Sequence, residues 1–226
     1  MTGAVQIVAF DVNQTLSDME PLRDRLTAGG APGHLLETWF AATLRDGFAL
    51  AAAGSCAPFR EVGTEALRVL LSNRPGLAAA PGELAEQVLA GFTELDVHPD
   101  VVVGLRLLRD AGLRLVTLTN GSTTVSQALL QRAGVTELFE RQLSVEDAGR
   151  WKPHPDAYAY AAAQCGVDPG DVCLVAVHPW DIDGAARAGM RTGWLNRNGS
   201  PYPRVFTSPD VTGADLPSLA QRLTAL

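Results

Sequence analysis

Four short, nearly continuous apolar runs decide most of what this chain can become: Val5 to Phe10, Leu113 to Leu118, Val172 to Val177 and the shorter Arg191-Thr192-Gly193-Trp194-Leu195. A strand with one wet face alternates apolar and polar residues. A run that is apolar at almost every position has both faces covered, as in a parallel sheet flanked by helices. Helical patterns fill the intervals, at Val101 to Ala111, Thr124 to Ala133, Pro155 to Cys165 and Asp183 to Ala188. Several of them meet Gly112, Gly134, Gly166 or Gly189, where a helix would need a left-handed cap. This alternation predicts an α/β domain with a doubly wound, Rossmann-like parallel sheet.

The first two runs are far too widely separated for an ordinary crossover of a dozen or more residues. The stretch from Met19 to about Glu94 has no strand-like run, but it has helical periodicity in Leu35 to Ala53 and Phe59 to Leu71. Gly29-Gly30, Pro32-Gly33, Pro75-Gly76 and Pro81-Gly82 read as breaks. The expectation is an all-helical cap over 18–94 inserted into a core made of 1–17 and 95–226, with Leu216 to Leu226 as a closing helix. A chain of 226 residues is long enough for either one large domain or such a core with an insert.

The formal charge is −7 and the arginines are scattered, so nothing provides a footprint for nucleic acid or for an anionic membrane surface. A small soluble partner fits better. No apolar run approaches the ~20 residues that span a bilayer, and MTGAVQIVAF lacks a basic stretch before an apolar core. A cytoplasmic protein is expected, and a homodimer is compatible with the sequence. Cys56, Cys165 and Cys173 lack C-x-x-C spacing and read as small buried hydrophobes.

In open α/β sheets ligands bind beyond the carboxyl ends of the strands, so polar groups just past each apolar run should converge. Asp11, Asn13 and Thr15 follow the first run, and Thr119, Asn120 and Ser122 the second. His178, Trp180, Asp181 and Asp183 follow the third, and Lys152 lies in RWKPHPDAY between them. Alone, Asp11 would read as a turn or N-cap residue. Faced by an ammonium, it stays ionised and can act as a nucleophile that forms an ester for water to open. Lys152 is the candidate partner. Thr15 and Asn120 can orient the carboxylate, and Thr119 with the backbone N–H groups after Asp11 can bind an anionic substrate group.

This set, in this order, resembles the haloacid dehalogenase superfamily, and within it the L-2-haloacid dehalogenases. FDVNQTLSD, LTLTNGS, KPHPDAY and VAVHPWDIDGA each parallel a motif of that family. The resemblance implies a Rossmann-like core with a helical cap. It further implies a hydrolase that removes halide from small 2-haloalkanoic acids through an aspartyl ester on Asp11, with no metal and no cofactor. It assigns Asp181 either to orienting Lys152 or to activating water. It places Tyr158, Trp180 and Phe59 at a small anionic organic substrate.

Phosphatases of the superfamily use a second Asp two residues after the nucleophile and an acidic magnesium ligand four positions before the residue matching Asp181. Here those positions hold Asn13, whose amide cannot recycle a proton, and Val177. Asn13 therefore counts as a substrate-side residue. The chain also departs from the dehalogenase pattern. Where the family carries an arginine on its first cap helix, alignment on Trp39 puts Phe40. Arg45 lies five residues on, about 140° further round a helix. Ala176 and His178 replace a Ser and an Asn. His178 is able either to take a proton from water or, when charged, to attract an anion. Two rival readings follow: a weak magnesium-dependent phosphatase, and a catalytically silent binding protein on the same fold.

Overall fold

A computed structural model describes residues 5–225. Six strands form one sheet: β1 (Ile7–Phe10), β2 (Arg114–Thr119), β3 (Phe139–Ser144), β4 (Val172–Ala176), β5 (Arg191–Leu195) and β6 (Val211–Gly213). All neighbours run parallel, in the order β3-β2-β1-β4-β5-β6. The chain winds from β1 out to β3, then returns to build β4 to β6 on the other side. The order therefore reverses between β1 and β4, where Phe10 stands opposite Val175.

Four helices lie between β1 and β2 before the first core helix: α1 (Glu20–Ala28), α2 (Leu35–Ala52), α3 (Phe59–Leu71) and α4 (Pro81–Ala90). They are followed by α5 (Val101–Asp110), α6 (Thr123–Arg132), the single turn α7 (Val145–Ala148), α8 (Pro155–Cys165), α9 (Pro179–Arg187) and α10 (Leu216–Leu223). The four glycines expected at helix ends, Gly112, Gly134, Gly166 and Gly189, all have left-handed φ. Residues 1–4 of the expected core and Leu226 of the expected closing helix lie outside the described residues.

The structure corrects four details of the sequence reading. Strand β3, FERQLS, carries Glu140 and Arg141 exposed because it is an edge strand, and β6 at the opposite edge has only three residues. Neither presents a continuous apolar run. Pro81-Gly82 starts α4 instead of breaking the chain, since a proline in the first turn forgoes only an N–H with no helical partner. The helix expected from Asp183 begins four residues earlier, at Pro179, for the same reason. Cys56 is exposed in the link between α2 and α3, while Cys165 and Cys173 are buried as expected. Among the described residues no helix is long and apolar enough to cross a membrane.

Helix α2 lies against the core as well as against α3. Gly47 is the point of closest approach, because a Cβ there would stand 2.2 Å from the ring of Trp151. The Trp151 indole N–H donates to the Ala57 carbonyl at 2.9 Å, which ties the α2–α3 link to the segment holding Lys152.

Candidate active site

The polar groups beyond the strand ends meet at the point where the strand order reverses, as expected of an open α/β sheet. Asp11 extends the β1 ladder by one bond, its N–H donating to the Val175 carbonyl at 3.0 Å. The chain then turns tightly: Leu16 and Ser17 both donate to the Val12 carbonyl, and Gln14 takes a left-handed φ of 64°. Left-handed backbone at a non-glycine residue is uncommon and clusters at functional sites. Here it folds Thr15 back so that its hydroxyl donates to Asp11 Oδ2 at 2.7 Å. The same oxygen of Thr15 accepts the Val177 N–H at 3.1 Å, which joins the ends of β1 and β4.

Lys152 Nζ sits between two carboxylates, 3.0 Å from Asp11 Oδ1 and 2.6 Å from Asp181 Oδ2. Asp11 is only 4 % exposed, and Lys152 and Asp181 expose nothing. Its position is set through its backbone. The Asn120 side chain accepts from the Lys152 N–H at 2.9 Å and donates to the Lys152 carbonyl at 3.2 Å. Asn120 thus acts on the lysine segment and makes no hydrogen bond to Asp11.

Burial alone would push the Asp11 carboxyl up, but Lys152, His178 and the Thr15 hydroxyl together hold it below the usual carboxylate range. Asp181 moves the other way: burial and the Asp11 charge raise it, against the pull of Lys152 and Tyr158. Burial opposes the charge on Lys152, yet its two carboxylate neighbours raise it and keep it an ammonium. Tyr158 donates to Asp181 Oδ1 at 2.7 Å and stays protonated, its phenol pushed up by burial and by Asp181. The phenol reaches α9 only because Gly184 lacks a Cβ, which would lie 2.5 Å from the hydroxyl.

Aromatic rings roof this cluster. His178 stacks on Trp180 with centroids 5.2 Å apart and on Phe40 of α2 at 5.8 Å. Phe48 meets Trp180 edge-on, and Phe59 stacks on Trp151. His178 Nε2 lies 3.2 Å from the Asn13 carbonyl and 3.6 Å from Asp11 Oδ2. Beside the roof a cavity of about 230 Å³ reaches Asn13 and Gly121 and is walled by Phe59, Leu89, Phe92 and Val125. A larger open cleft lies past Gln14, His98 and Arg197, and neither cavity is lined by Asp11, Lys152 or Asp181.

Asp11, Thr15, Lys152, Asp181, Tyr158, His178 and Trp180 are therefore brought together, with Phe40 and Phe59 above them. Arg45 is not: it is exposed and forms a two-point pair with Asp46 on the outer face of α2. The turn from Phe40 to Arg45 places it on the exposed side of α2 while Phe40 is buried. The Thr119 hydroxyl is spent locally, accepting from Gly121 N–H at 2.9 Å. Trp39 and Trp194 are buried and donate to the Gly63 and Val177 carbonyls. Sequence reasoning missed Phe48, Gly184 and Arg197, the last of which donates to the Thr15 carbonyl and to Asp100. Only the helical spacing of Phe40 and Phe48 offered a signal for any of them.

A buried carboxylate kept ionised next to an ammonium, with an apolar cavity alongside, can attack a carbon centre or a phosphorus centre. A sequence model of the haloacid dehalogenase-like hydrolases matches residues 5–189. Haloacetate dehalogenase H-2 of Moraxella sp. is 30 % identical over 92 % of this chain and 93 % of its own. The (S)-2-haloacid dehalogenase of Xanthobacter autotrophicus is 32 % identical over 85 % of this chain and 76 % of its own. The structure of the Xanthobacter L-2-haloacid dehalogenase with chloropropionic acid covalently bound superposes with a TM-score of 0.86 at 26 % identity, covering 98 % of this chain and 99 % of that one.

Proposed function

Since the chain belongs to the haloacid dehalogenase-like hydrolases, we propose that it releases halide from small 2-haloalkanoic acids through an ester on Asp11, without a metal. The observation that carries this reading is the buried Lys152 ammonium, bonded at once to Asp11 and to Asp181. It keeps the nucleophile ionised, while Asn13 and Val177 stand where a phosphatase needs acidic groups.

In the first step an Asp11 oxygen displaces halide from the carbon that bears it. A C–O bond forms as the C–halogen bond breaks, and the halide leaves with the bonding pair. The cavity walled by Phe59 and Phe92 suits a short alkyl chain, and Phe40 and Trp180 help exclude water. In the second step water adds to the Asp11 carboxyl carbon, and the ester opens to give the 2-hydroxy acid. One proton of the water ends on the product hydroxyl and the other goes to solvent, and Asp11 regains its carboxylate. Asp181, anchored by Tyr158, orients Lys152. A relative with chloropropionic acid covalently bound supports the ester.

The same proposal makes 18–94 a helical cap over a core of 1–17 and 95–226. It puts the enzyme in the cytoplasm, as a monomer or homodimer, working on a small anion and not on nucleic acid or membrane. Incubation with 2-chloropropionate, monochloroacetate and fluoroacetate in EDTA, with free halide as the readout, tests it. Halide should appear from at least one of them and vanish in Asp11→Asn. No release by folded protein sinks the reading, and magnesium-dependent hydrolysis of p-nitrophenyl phosphate in its place would support a phosphatase.

A further inference from the structure

We infer that His178 is the anion contact of this site, its ring edge set beside the carboxylate of the substrate from the core side, and that it is not the base that activates water. The inference rests on the proposal that the substrate is a small carboxylate.

The reacting carbon must come within about 3–3.5 Å of an Asp11 oxygen before displacement. The substrate carboxylate is bonded to that carbon, so its binding group has to adjoin the nucleophile. Few cations among the described residues qualify. Lys152 has no exposed surface and is committed to two carboxylates. Arg45 is paired with Asp46 on the outer face, Arg60, on the wall of the 230 Å³ cavity, with Glu86, and Arg197 with Asp100 behind the nucleophile loop. His178, 3.6 Å from Asp11 Oδ2, has no acidic neighbour apart from the nucleophile. With Asp11, Asp181 and Lys152 alone the buried cluster carries a net negative charge, which repels an anionic substrate. An imidazole beside the cluster is a side chain able to carry the offsetting charge.

The position of the ring decides between its two capacities. Nε2 faces two acceptors, the Asn13 carbonyl and Asp11 Oδ2. A nitrogen between two acceptors must carry a hydrogen, so the lone pair of a neutral ring lies on Nδ1 and not on the nitrogen that faces the nucleophile. A base needs the reverse arrangement. The faces of the ring are held by Phe40 and Trp180, with interplanar angles of 28° and 18°. Stacking of this kind holds the ring in one plane, with its Nε2 edge turned toward the nucleophile. Phe40 occupies the place where related enzymes carry a cap arginine, so a packing surface stands there and the positive charge has moved to the ring beneath it.

Propionate, which has the carboxylate but no halogen, and uncharged propionamide separate the roles by titration calorimetry on the full chain. Wild type should prefer propionate. His178→Gln should lose at least about tenfold in propionate affinity, the value of one charge-assisted hydrogen bond, with propionamide unchanged within about twofold. Adding Phe40→Arg to His178→Gln should restore propionate binding; near-UV circular dichroism checks each fold, and His178→Gln alone decides the matter. Unchanged propionate affinity in His178→Gln overturns the assignment, as does failure of wild type to bind propionate. So does a His178→Gln enzyme that binds propionate normally but accumulates the covalent ester by mass. If wild type releases no halide yet His178→Gln still loses propionate, the dehalogenase reading fails and the anion contact stands.

Discussion

Replacing Lys152 with Met removes one ammonium and keeps an unbranched stem of similar reach. In the wild type that ammonium lies 3.0 Å from Asp11 and 2.6 Å from Asp181, on a side chain with no exposed surface. Breaking a buried ion pair by deleting one partner costs about 3–5 kcal/mol, because the charge left behind stays desolvated. In a chain of this length each kcal/mol lowers Tm by about 2–4 °C, so a drop of roughly 10 °C is expected at neutral pH. The loss should also depend on pH. Lys152 lowers both carboxylates, so its removal raises the folded-state pKa of each. A carboxylate whose folded pKa exceeds its unfolded value binds extra protons in the folded state, and stability then falls as pH rises between the two values. The variant's deficit relative to wild type should therefore grow upward from the ordinary carboxylate range, by up to ~1.4 kcal/mol per pH unit for one extra proton. Urea unfolding followed by far-UV circular dichroism at about pH 5.5 and about pH 7.5 measures both effects. Halide release should vanish alongside, since a protonated Asp11 is no nucleophile. A deficit under about 1 kcal/mol at neutral pH, or one equal at both pH values, would refute the account of this cluster.

The remaining expectations are shorter. Thr15→Val removes the donor to Asp11 Oδ2 and strands the Val177 N–H, so stability should fall by about 1–3 kcal/mol and halide release with it; unchanged kinetics would show that Asp11 is positioned without this hydroxyl. Gly47→Ala gains up to about 1 kcal/mol in helix propensity but drives a methyl into Trp151, so a net loss of about 1–2 kcal/mol and a changed tryptophan spectrum are expected. A net gain in urea titration would mean that α2 sits less closely on the core. In a single turnover in H₂¹⁸O, mass spectrometry should find the label in the Asp11 peptide and not in the hydroxy acid; label in the product would eliminate the ester.

The sheet was legible where burial is two-sided. β1, β2, β4 and β5 announce themselves because each is covered on both faces. β3 did not, since Glu140 and Arg141 are outward residues of an edge strand. The meeting of Asp11, Lys152 and Asp181 was legible because the ends of parallel strands converge by construction. What a linear reading could not supply was orientation. Arg45 and Phe40 are close in sequence, yet the twist of α2 sends one to solvent and the other onto His178. Likewise Asn120 reads as a partner for Asp11, and only the path of the following segment shows that it grips Lys152.

The ring stack over the nucleophile also sets a tempo. With Asp11 only 4 % exposed, and α2 laying Phe40 on His178 and Phe48 against Trp180, a substrate meets the carboxylate only after those ring pairs part. Parting and re-stacking of helices against a core takes microseconds to milliseconds and is slowed by friction with the solvent. Under the proposed function every turnover contains that cycle whatever the halogen, so a more viscous medium should slow a quick substrate before it slows a sluggish one.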